Sequence, residues 1–361
     1  MPPEASRFPK RLARVRRSLL TNGLEAVLFL DMNNVRYLTG FTGSDGAFLL
    51  GRRRSLLLVD GRYTTQAGEQ IGEAGVFEYR EKVAGIAEIL AGWAVTTVGF
   101  EAAAVSYETY GKLKEKLPMA CLQPLASKAV NIRMVKDEDE IAALRQAAAL
   151  ASRSLLELLP EVRPGLRERD VALELEYRMK RNGADGISFP TIVAAGENAA
   201  LPHAAPGSRK LAADDTLVID YGVVFEGYHS DETCTFVLGQ ASSPFREAYG
   251  AVKTAHDRAI AAVKAGVPCA EIDRIARDYL EEAGLGRFFV HTTGHGIGLE
   301  VHEPPRIAAT TEVLLEVGMV VNIEPGVYIP GQWGIRIEDT VLVRERDCEI
   351  ITKTPKDLTI L

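Results

Sequence analysis

The sequence predicts two domains, an α/β domain over residues 1–130 and an α+β domain over residues 131–361. A chain of 361 residues exceeds what one hydrophobic core usually organises, and its 47% hydrophobic residues suffice for two sizeable cores. In the first part, short apolar strands alternate with helical segments, which is typical of an α/β domain. In the second part, helices alternate with strand hairpins. That pattern favours helices covering one face of an antiparallel sheet.

Alternating strands and helices make up the predicted first domain. Helical spacing of apolar residues predicts helices over 8–22, 82–92 and 106–116. Short apolar runs predict strands over 25–31, 46–50, 55–60 and 98–101. Segment 32–46 is rich in Asn, Gly and Ser and is predicted to be a loop. This order favours a mixed or parallel sheet and contains no nucleotide-binding fingerprint.

Helices and hairpins alternate in the predicted second domain. Asp137 and Glu140 form a capping box at the start of one helix, and a second helix runs over 168–182. Two strands at 216–225 and 227–239 are joined by Glu226-Gly227, a good signal for a hairpin turn. The other predicted elements are a strand within 187–196, helices at 243–265 and 269–283, and strands at 318–324, 326–329 and 335–344.

Composition excludes several classes of function. A net charge of -7 gives no reason to expect a nucleic-acid partner, and no run of eighteen apolar residues could span a membrane. The basic start of the chain lacks the apolar core of a signal peptide and is predicted to be an amphipathic helix. Four scattered cysteines without a CxxC pair fit reduced thiols, which predicts a cytoplasmic protein.

Four carboxylates and one imidazole in apolar or β-branched surroundings predict a site for two metal ions. Asp220 and Asp231 lie on the two arms of the predicted hairpin, where a short turn can bring them side by side. Unpaired carboxylates are costly to bury, and a cluster of them could not stay ionised without cations. Two divalent ions would balance the cluster, and a water bridging them could ionise and attack a carbonyl. The members of the cluster are Asp220, Asp231, His295, Glu324 and Glu338.

The donor atoms and the remaining histidines refine this hypothesis. One imidazole among oxygen donors is a hard ligand set, which points to Mn²⁺, with Co²⁺ or Zn²⁺ as alternatives to it. Three of the six histidines (His291, His295 and His302) lie in one Gly-rich stretch of twelve residues. His302 and His203 are candidates for proton transfer and for stabilising a tetrahedral intermediate. A lone histidine in a loop, such as His203, is more often only a solvated or core residue.

The pattern resembles the pita-bread metallopeptidases of the prolidase and aminopeptidase P group. The motifs that carry the resemblance in the second domain are DYG, SDETCTF, GHGIGLEVHE, NIEPG and GIRIEDT, at 220–222, 230–236, 294–303, 322–326 and 334–340. In the first domain, VRYLTGF at 35–41 and VDGRY at 59–63 are similar to the creatinase-type domain of that group. The resemblance covers nearly the whole chain. It implies a creatinase-like domain followed by a pita-bread catalytic domain with pseudo-twofold symmetry.

The resemblance also implies roles for individual residues. Asp220, Asp231, His295, Glu324 and Glu338 would bind two metals, with Asp231 and Glu338 bridging them. His203 and His302 would be catalytic, Glu324 would also relay a proton, and His291 and Arg336 would lie near the substrate. The group implies a homodimer that cleaves before proline in dipeptides or longer peptides. Many members carry Arg where this chain has Cys234, and we expect a tuning effect there without loss of activity.

Arg306 bears on which enzyme of the group the chain resembles. It follows VHEPP, and prolidases similar to this chain use an arginine there to hold the free carboxylate of a dipeptide. A solvated loop arginine is the commoner fate of such a residue. The leading interpretation is therefore an Xaa-Pro dipeptidase, and the alternative is aminopeptidase P. A creatinase is disfavoured by the intact ligand set, a methionine aminopeptidase by the first domain, and a non-catalytic binding module by the absence of any lost ligand.

Overall fold

The structure is a computed structural model that describes residues 7–21, 23–72, 74–125 and 131–361. It divides into two units, Met1–Arg133 and Met134–Leu361. Residue 130, the predicted end of the first domain, lies outside the described residues, so that boundary stays a prediction. None of the helices in the described ranges combines the length and apolar character needed to cross a bilayer.

A six-stranded mixed sheet forms the centre of the first unit. Its strand order is β4-β3-β2-β1-β5-β6, with antiparallel pairing on both sides of β2 and parallel pairing elsewhere. Fully buried β1 lies in the middle of the sheet. The elements are α1 (Arg7–Thr21), β1 (Ala26–Phe29), α2 (Met32–Thr39), β2 (Ala47–Gly51), β3 (Ser55–Val59), α3 (Thr64–Gln70), β4 (Gly75–Glu78), α4 (Lys82–Gly92), β5 (Thr97–Glu101), α5 (Tyr107–Lys116) and β6 (Cys121–Leu125).

The prediction of a loop over 32–46 is wrong for its first eight residues, which form α2. The side chain of Asp31 accepts a hydrogen bond from Asn33 N and so caps the start of the helix. Gly40 ends it in the left-handed conformation, at φ 82°. Buried Asn34 is tolerated in the helix because its amide bonds to Glu101 and its carbonyl accepts from Arg133 at 2.8 Å.

The second unit contains two pairs of helices and several antiparallel ladders. The predicted capping box of Asp137 and Glu140 is present at the start of α6. The helices are α6 (Glu138–Leu158), α7 (Glu168–Arg181), α8 (Ser243–Ala262) and α9 (Cys269–Glu282). The strands are β7 (Gly186–Ile187), β8 (Ile192–Ala195), β9 (Thr216–Tyr221), β10 (Val223–Phe225), β11 (Tyr228–His229), β12 (Glu232–Val237), β13 (Gly294–Gly296), β14 (Glu303–Ile307), β15 (Val320–Ile323), β16 (Gly326–Ile329), β17 (Trp333–Arg336), β18 (Asp339–Val343), β19 (Cys348–Ile350) and β20 (Thr359–Ile360).

Each helix pair of the second unit packs on one sheet. Apolar residues of α6 and α7, among them Leu155 and Leu175, share a core with the sheet β20-β12-β9-β8. Those of α8 and α9, among them Val252 and Ile272, share a core with β14, β15 and β18. The predicted combination of helices with antiparallel sheets is confirmed. It is repeated in two halves, and the predicted metal ligands lie on strands of both halves or directly beside the strand ends.

Candidate metal centre

A cavity of about 950 Å³ in the second unit is lined by every site residue predicted from the sequence. Its lining combines apolar residues, among them Phe189, Pro190, Ile192 and Val301, with ionisable ones. The structure therefore brings together residues that are far apart in sequence. Those predicted residues are His203, Asp220, Asp231, His291, His295, His302, Arg306, Glu324, Arg336 and Glu338.

The hairpin of β9 and β12 places two of the carboxylates side by side. Its register pairs Asp220 with Thr233 and Tyr221 with Glu232. Asp231, the residue before Glu232, therefore lies diagonally across from Asp220 on the same face. The strands approach closely here, because a Cβ at Gly222 would lie 2.0 Å from the carbonyl oxygen of Ser230.

The second half of the unit supplies the other three predicted ligands. β15 pairs with β18 through Ile323 and Asp339, so Glu324 and Glu338 meet where this ladder ends. His295 lies at the centre of β13, between β14 and β15. Its Nε2 is 3.6 Å from Asp231 Oδ2 and 3.6 Å from Glu324 Oε1. The imidazole thus faces carboxylates from both halves.

The donor atoms fall into three overlapping groups in which all atoms lie within 4.8 Å of one another. Asp231, Glu338 and His295 each belong to two groups, so a pair of neighbouring cations could share them. His302 falls into one group with Asp231 and His295, and the His295 and His302 ring centroids are 4.3 Å apart. The groups are Asp220 with Asp231 and Glu338, His295 with Glu324 and Glu338, and Asp231 with His295 and His302.

Electrostatics of the cluster fit bound cations. Burial, followed by repulsion from Glu338 and Asp220, raises the pKa of Asp231 well above its usual value. Burial and Glu338 raise the pKa of Glu324 in the same way, and burial with Asp220 raises the pKa of Glu338 to about 7. Asp220 Oδ1 is buried and has no hydrogen-bond partner in the described parts of the chain. Divalent cations would offset this repulsion and give that oxygen a partner, so the donor set fits them.

Polar residues that the sequence analysis missed orient these carboxylates. Thr233 Oγ1 donates to Glu338 Oε2 at 2.6 Å, and Asn322 Nδ2 donates to Glu338 Oε1 at 2.9 Å. Thr340 Oγ1 donates to Asn322 Oδ1 at 2.8 Å. Each of the three lies two positions from a predicted ligand, where strand geometry returns a side chain to the same face. That spacing is the signal that could have identified them.

Arg336 connects the metal cluster to the loop that carries His203. Its Nη2 donates to Asp220 Oδ2 at 2.5 Å, and its Nη1 donates to the carbonyl of Pro202 at 3.1 Å and to Tyr328 Oη at 2.8 Å. The side chain is buried, so these contacts hold Pro202, and with it the neighbouring His203, near the carboxylates. Tyr328 was not singled out in the sequence, since it occupies an ordinary apolar strand.

Glu168, at the start of α7, holds the other end of the same loop. It is fully buried, and its Oε1 accepts from Ala195 N and from Asn198 Nδ2, each at 2.9 Å. Its Oε2 accepts from Gly207 N at 3.1 Å. The sequence offered no signal for this role, because Glu in the first turn of a helix is common for other reasons.

The remaining imidazoles differ in environment. His291 is held by hydrogen bonds at both nitrogens, to the carbonyl of Thr292 at 2.8 Å and to Tyr328 Oη at 3.0 Å, and burial lowers its pKa to about 4. His302 is exposed at the cavity, and partial burial of the ring lowers its pKa. His203 is exposed in the facing loop. Imidazoles at the mouth of the cavity can exchange protons with a bound molecule.

Arg306 lies at the rim of the cavity. It pairs with His295 in the ladder of β13 and β14, so both side chains leave the sheet on one face. The Arg306 side chain is exposed, and its guanidinium has no hydrogen-bond or salt-bridge partner among the described residues. The Arg306 guanidinium could therefore bind an anionic group that enters the cavity.

A cluster of this kind, where strands from the two halves of the second unit meet, is typical of a metal-dependent hydrolase. Residues 142–345 match the model of metallopeptidase family M24, and residues 11–135 match the creatinase/prolidase N-terminal domain. The chain therefore belongs to metallopeptidase family M24. The predicted metallopeptidase activity and the predicted pair of a creatinase-like and a pita-bread domain are confirmed, and the family implies bound divalent metal ions.

Similar proteins match over nearly their full length. An Xaa-Pro dipeptidase from Pyrococcus furiosus is 35% identical over 97% of this chain and 99% of its own. The structure of an Xaa-Pro dipeptidase from Bacillus anthracis has a TM-score of 0.95 at 35% identity and covers 98% of this chain and 100% of its own. That of an X-Pro aminopeptidase from Thermotoga maritima has a TM-score of 0.90 at 34% identity, with 97% and 99% covered.

Proposed function

We propose that this protein is a dinuclear-metal-dependent Xaa-Pro dipeptidase. The observation that carries the proposal is the convergence on one cavity of the five predicted metal ligands, two exposed imidazoles and an arginine that has no partner among the described residues. Relatives described as Xaa-Pro dipeptidases from Pyrococcus furiosus and Bacillus anthracis support the assignment of substrate.

Asp220, Asp231, His295, Glu324 and Glu338 would hold the metals, with Asp231 and Glu338 shared between them. When bound, the two ions supply a Lewis acid and lower the pKa of water enough for attack on a carbonyl near neutral pH. We propose Mn²⁺, because oxygen donors dominate the set, with Co²⁺ or Zn²⁺ as alternatives. Glu324 would also relay a proton, as the family resemblance implies.

The other residues of the cavity position the peptide. His203 and His302 would donate hydrogen bonds to the carbonyl oxygen under attack and shuttle the proton to the leaving nitrogen. His291 and Arg336, which Tyr328 joins, would hold the neighbouring backbone. The apolar wall at Phe189 and Ile192 offers a surface for a proline ring.

Arg306 favours dipeptides over longer substrates. A guanidinium pairs bidentately with a carboxylate and keeps its charge at any working pH. In an Xaa-Pro dipeptide, the carboxylate of proline is free and can reach the rim of the cavity. In a longer peptide, an uncharged amide replaces it, so the contact is lost.

Aminopeptidase P is the second candidate, because the similar Thermotoga maritima structure is described as an X-Pro aminopeptidase. The Arg306 guanidinium, for which the described residues provide no hydrogen-bond or salt-bridge partner, favours the dipeptidase. A non-catalytic peptide-binding module of the same fold is a weaker candidate, since all five predicted metal-binding side chains are present.

We also propose that the enzyme is a cytoplasmic homodimer. The family resemblance supports the dimer, and four unpaired cysteines support a reducing compartment. Light scattering during gel filtration would report twice the mass of the 39.3 kDa chain for a dimer. A mass of one chain would refute it.

The test compares Xaa-Pro dipeptides with Xaa-Pro-Yaa tripeptides, in metal-free protein and after adding Mn²⁺ or Co²⁺. We expect metal-dependent hydrolysis that is faster for Xaa-Pro, and no hydrolysis of a matched Xaa-Ala dipeptide. Equal kcat/KM for both lengths would assign the chain to aminopeptidase P. Absence of hydrolysis with bound metal would favour the binding module.

A further inference from the structure

The residues that follow three of the proposed metal ligands meet in a second polar cluster. Tyr221 follows Asp220, Glu232 follows Asp231, and Asp339 follows Glu338. Because successive side chains of a strand point to opposite faces, these three leave the sheets on the side away from the cavity. All three are buried, with exposed fractions of 0%, 0% and 4%.

Lys356 is the cation of this back cluster, which we define as Tyr221, Glu232, Asp339 and Lys356. Its Nζ lies 2.5 Å from Glu232 Oε1 and 3.5 Å from Asp339 Oδ1, and it donates to Cys234 Sγ at 3.3 Å. Its side chain is only 6% exposed. One ammonium group therefore contacts two buried acids on strands from the two halves of the unit.

The other contacts of the two acids complete the cluster. Glu232 Oε2 accepts from Tyr221 Oη at 2.8 Å and from Ser152 Oγ at 2.7 Å, and Thr354 N donates to Oε1 at 3.1 Å. Asp339 Oδ1 accepts from Thr352 Oγ1 at 2.5 Å, and Asp339 Oδ2 lies 3.3 Å from His256 Nε2. The cluster thus ties the C-terminal segment to the strands that carry the metal ligands.

We propose that Lys356 is a positioning residue for the metal centre. It acts through Glu232 and Asp339, whose backbones are continuous with those of Asp231 and Glu338. Without the ammonium group, buried Glu232 would lose its counter-charge and Asp339 would retain the His256 ring at 3.3 Å, so the two carboxylates would move apart or admit water. Either response displaces the peptide units that hold the two shared ligands in place. The proposal rests on the metal-ligand assignment made above.

The test measures metal affinity as well as activity in Lys356→Met. We expect the Kd for Mn²⁺, measured by competition with a chelating dye, to rise about 10- to 100-fold, the scale for residues that orient metal ligands. The rise in Tm on adding Mn²⁺ should shrink accordingly. Lys353→Met is the matched control, because Lys353 is exposed on the same segment. We expect it to bind Mn²⁺ as the unchanged protein does.

A purely structural Lys356 would give a different result. In that case Lys356→Met would lower the Tm of the metal-free and the metal-loaded protein equally, and the Kd would stay the same. Either finding would overturn the proposal. If the unchanged protein bound no Mn²⁺ at all, the proposed function itself would fail.

Tyr221→Phe keeps the test decisive if Lys356→Met does not fold. It removes the hydroxyl that donates to Glu232 and contacts Thr354, and it leaves all charges in place. We expect a smaller rise in the Kd for Mn²⁺, of a few-fold. An unchanged Kd in folded Tyr221→Phe would refute the coupling between the back cluster and the metals.

Discussion

Replacing Arg306 by Ala should remove most of the preference for dipeptides. The side chain is exposed beside His295 and has no protein partner among the described residues, so its loss should leave the fold intact. A charge-assisted hydrogen bond contributes about 1.5–3 kcal/mol, which corresponds to roughly 10- to 150-fold in kcat/KM. We expect kcat/KM for Xaa-Pro to fall by that factor, and kcat/KM for Xaa-Pro-Yaa to change about threefold or less on the same scale.

Steady-state kinetics on both substrates, with the same metal loading, would measure this. Arg306→Lys is the informative companion, since it keeps a positive charge and loses the planar fork. It should retain part of the preference. If Arg306→Ala slowed both substrates equally, the residue would act on catalysis in general, and its proposed contact with the free carboxylate would be refuted.

Three further predictions concern the metals, the imidazoles and pH. Chelation should abolish activity, and Asp231→Ala should not regain it on adding Mn²⁺; elemental analysis of active enzyme without bound metal would contradict this. His302→Ala and His203→Ala should each lower kcat by roughly 10²-fold with unchanged metal content, whereas loss of metal would make the residue a ligand. Arg145 lowers the pKa of Glu349 to about 2, so its stabilisation is full above pH 4.5 and is lost as the pH falls towards 2. Glu349→Gln should lower the free energy of unfolding in urea by about 1 kcal/mol at pH 7, after allowance for solvent screening, and by less at pH 3; equal losses at both pH values would refute the ion pair.

Local signals predicted much of the fold. The capping box of Asp137 and the turn at Glu226-Gly227 are formed by neighbouring residues, and both are present. Helix α2 was missed because Asn33 and Asn34 favour loops, whereas in the structure Asn34 is paired with Glu101 across the unit. Strand β6 was missed as well, since Pro124 and its exposed residues hide the strand pattern.

In the candidate site, too, some residues could be predicted from the sequence and others could not. The acids could be predicted because each lies in an apolar strand, where an ionised group needs an explanation. Their metal-binding roles and the choice of metal stay predictions. Lys356 could not have been identified, because it is separated from Glu232 by 124 positions and only the packed sheet brings them together. The same holds for Glu168 and the loop of His203.

Paired acids also make the hairpin of β9 and β12 unusually dependent on its turn. If β12 slipped by one residue relative to β9, Glu232 would face the cavity and Asp231 would face Lys356. Each face of the hairpin would therefore still receive a carboxylate. Charge alone therefore distinguishes the two alignments poorly. The turn does so, because Glu226 and Gly227 both adopt left-handed conformations, at φ 49° and 78°, and admit a two-residue loop. A one-residue insertion at this distant turn would therefore put the longer side chain of Glu232 on the cavity face in place of Asp231. The sequence of the strand itself would be unchanged.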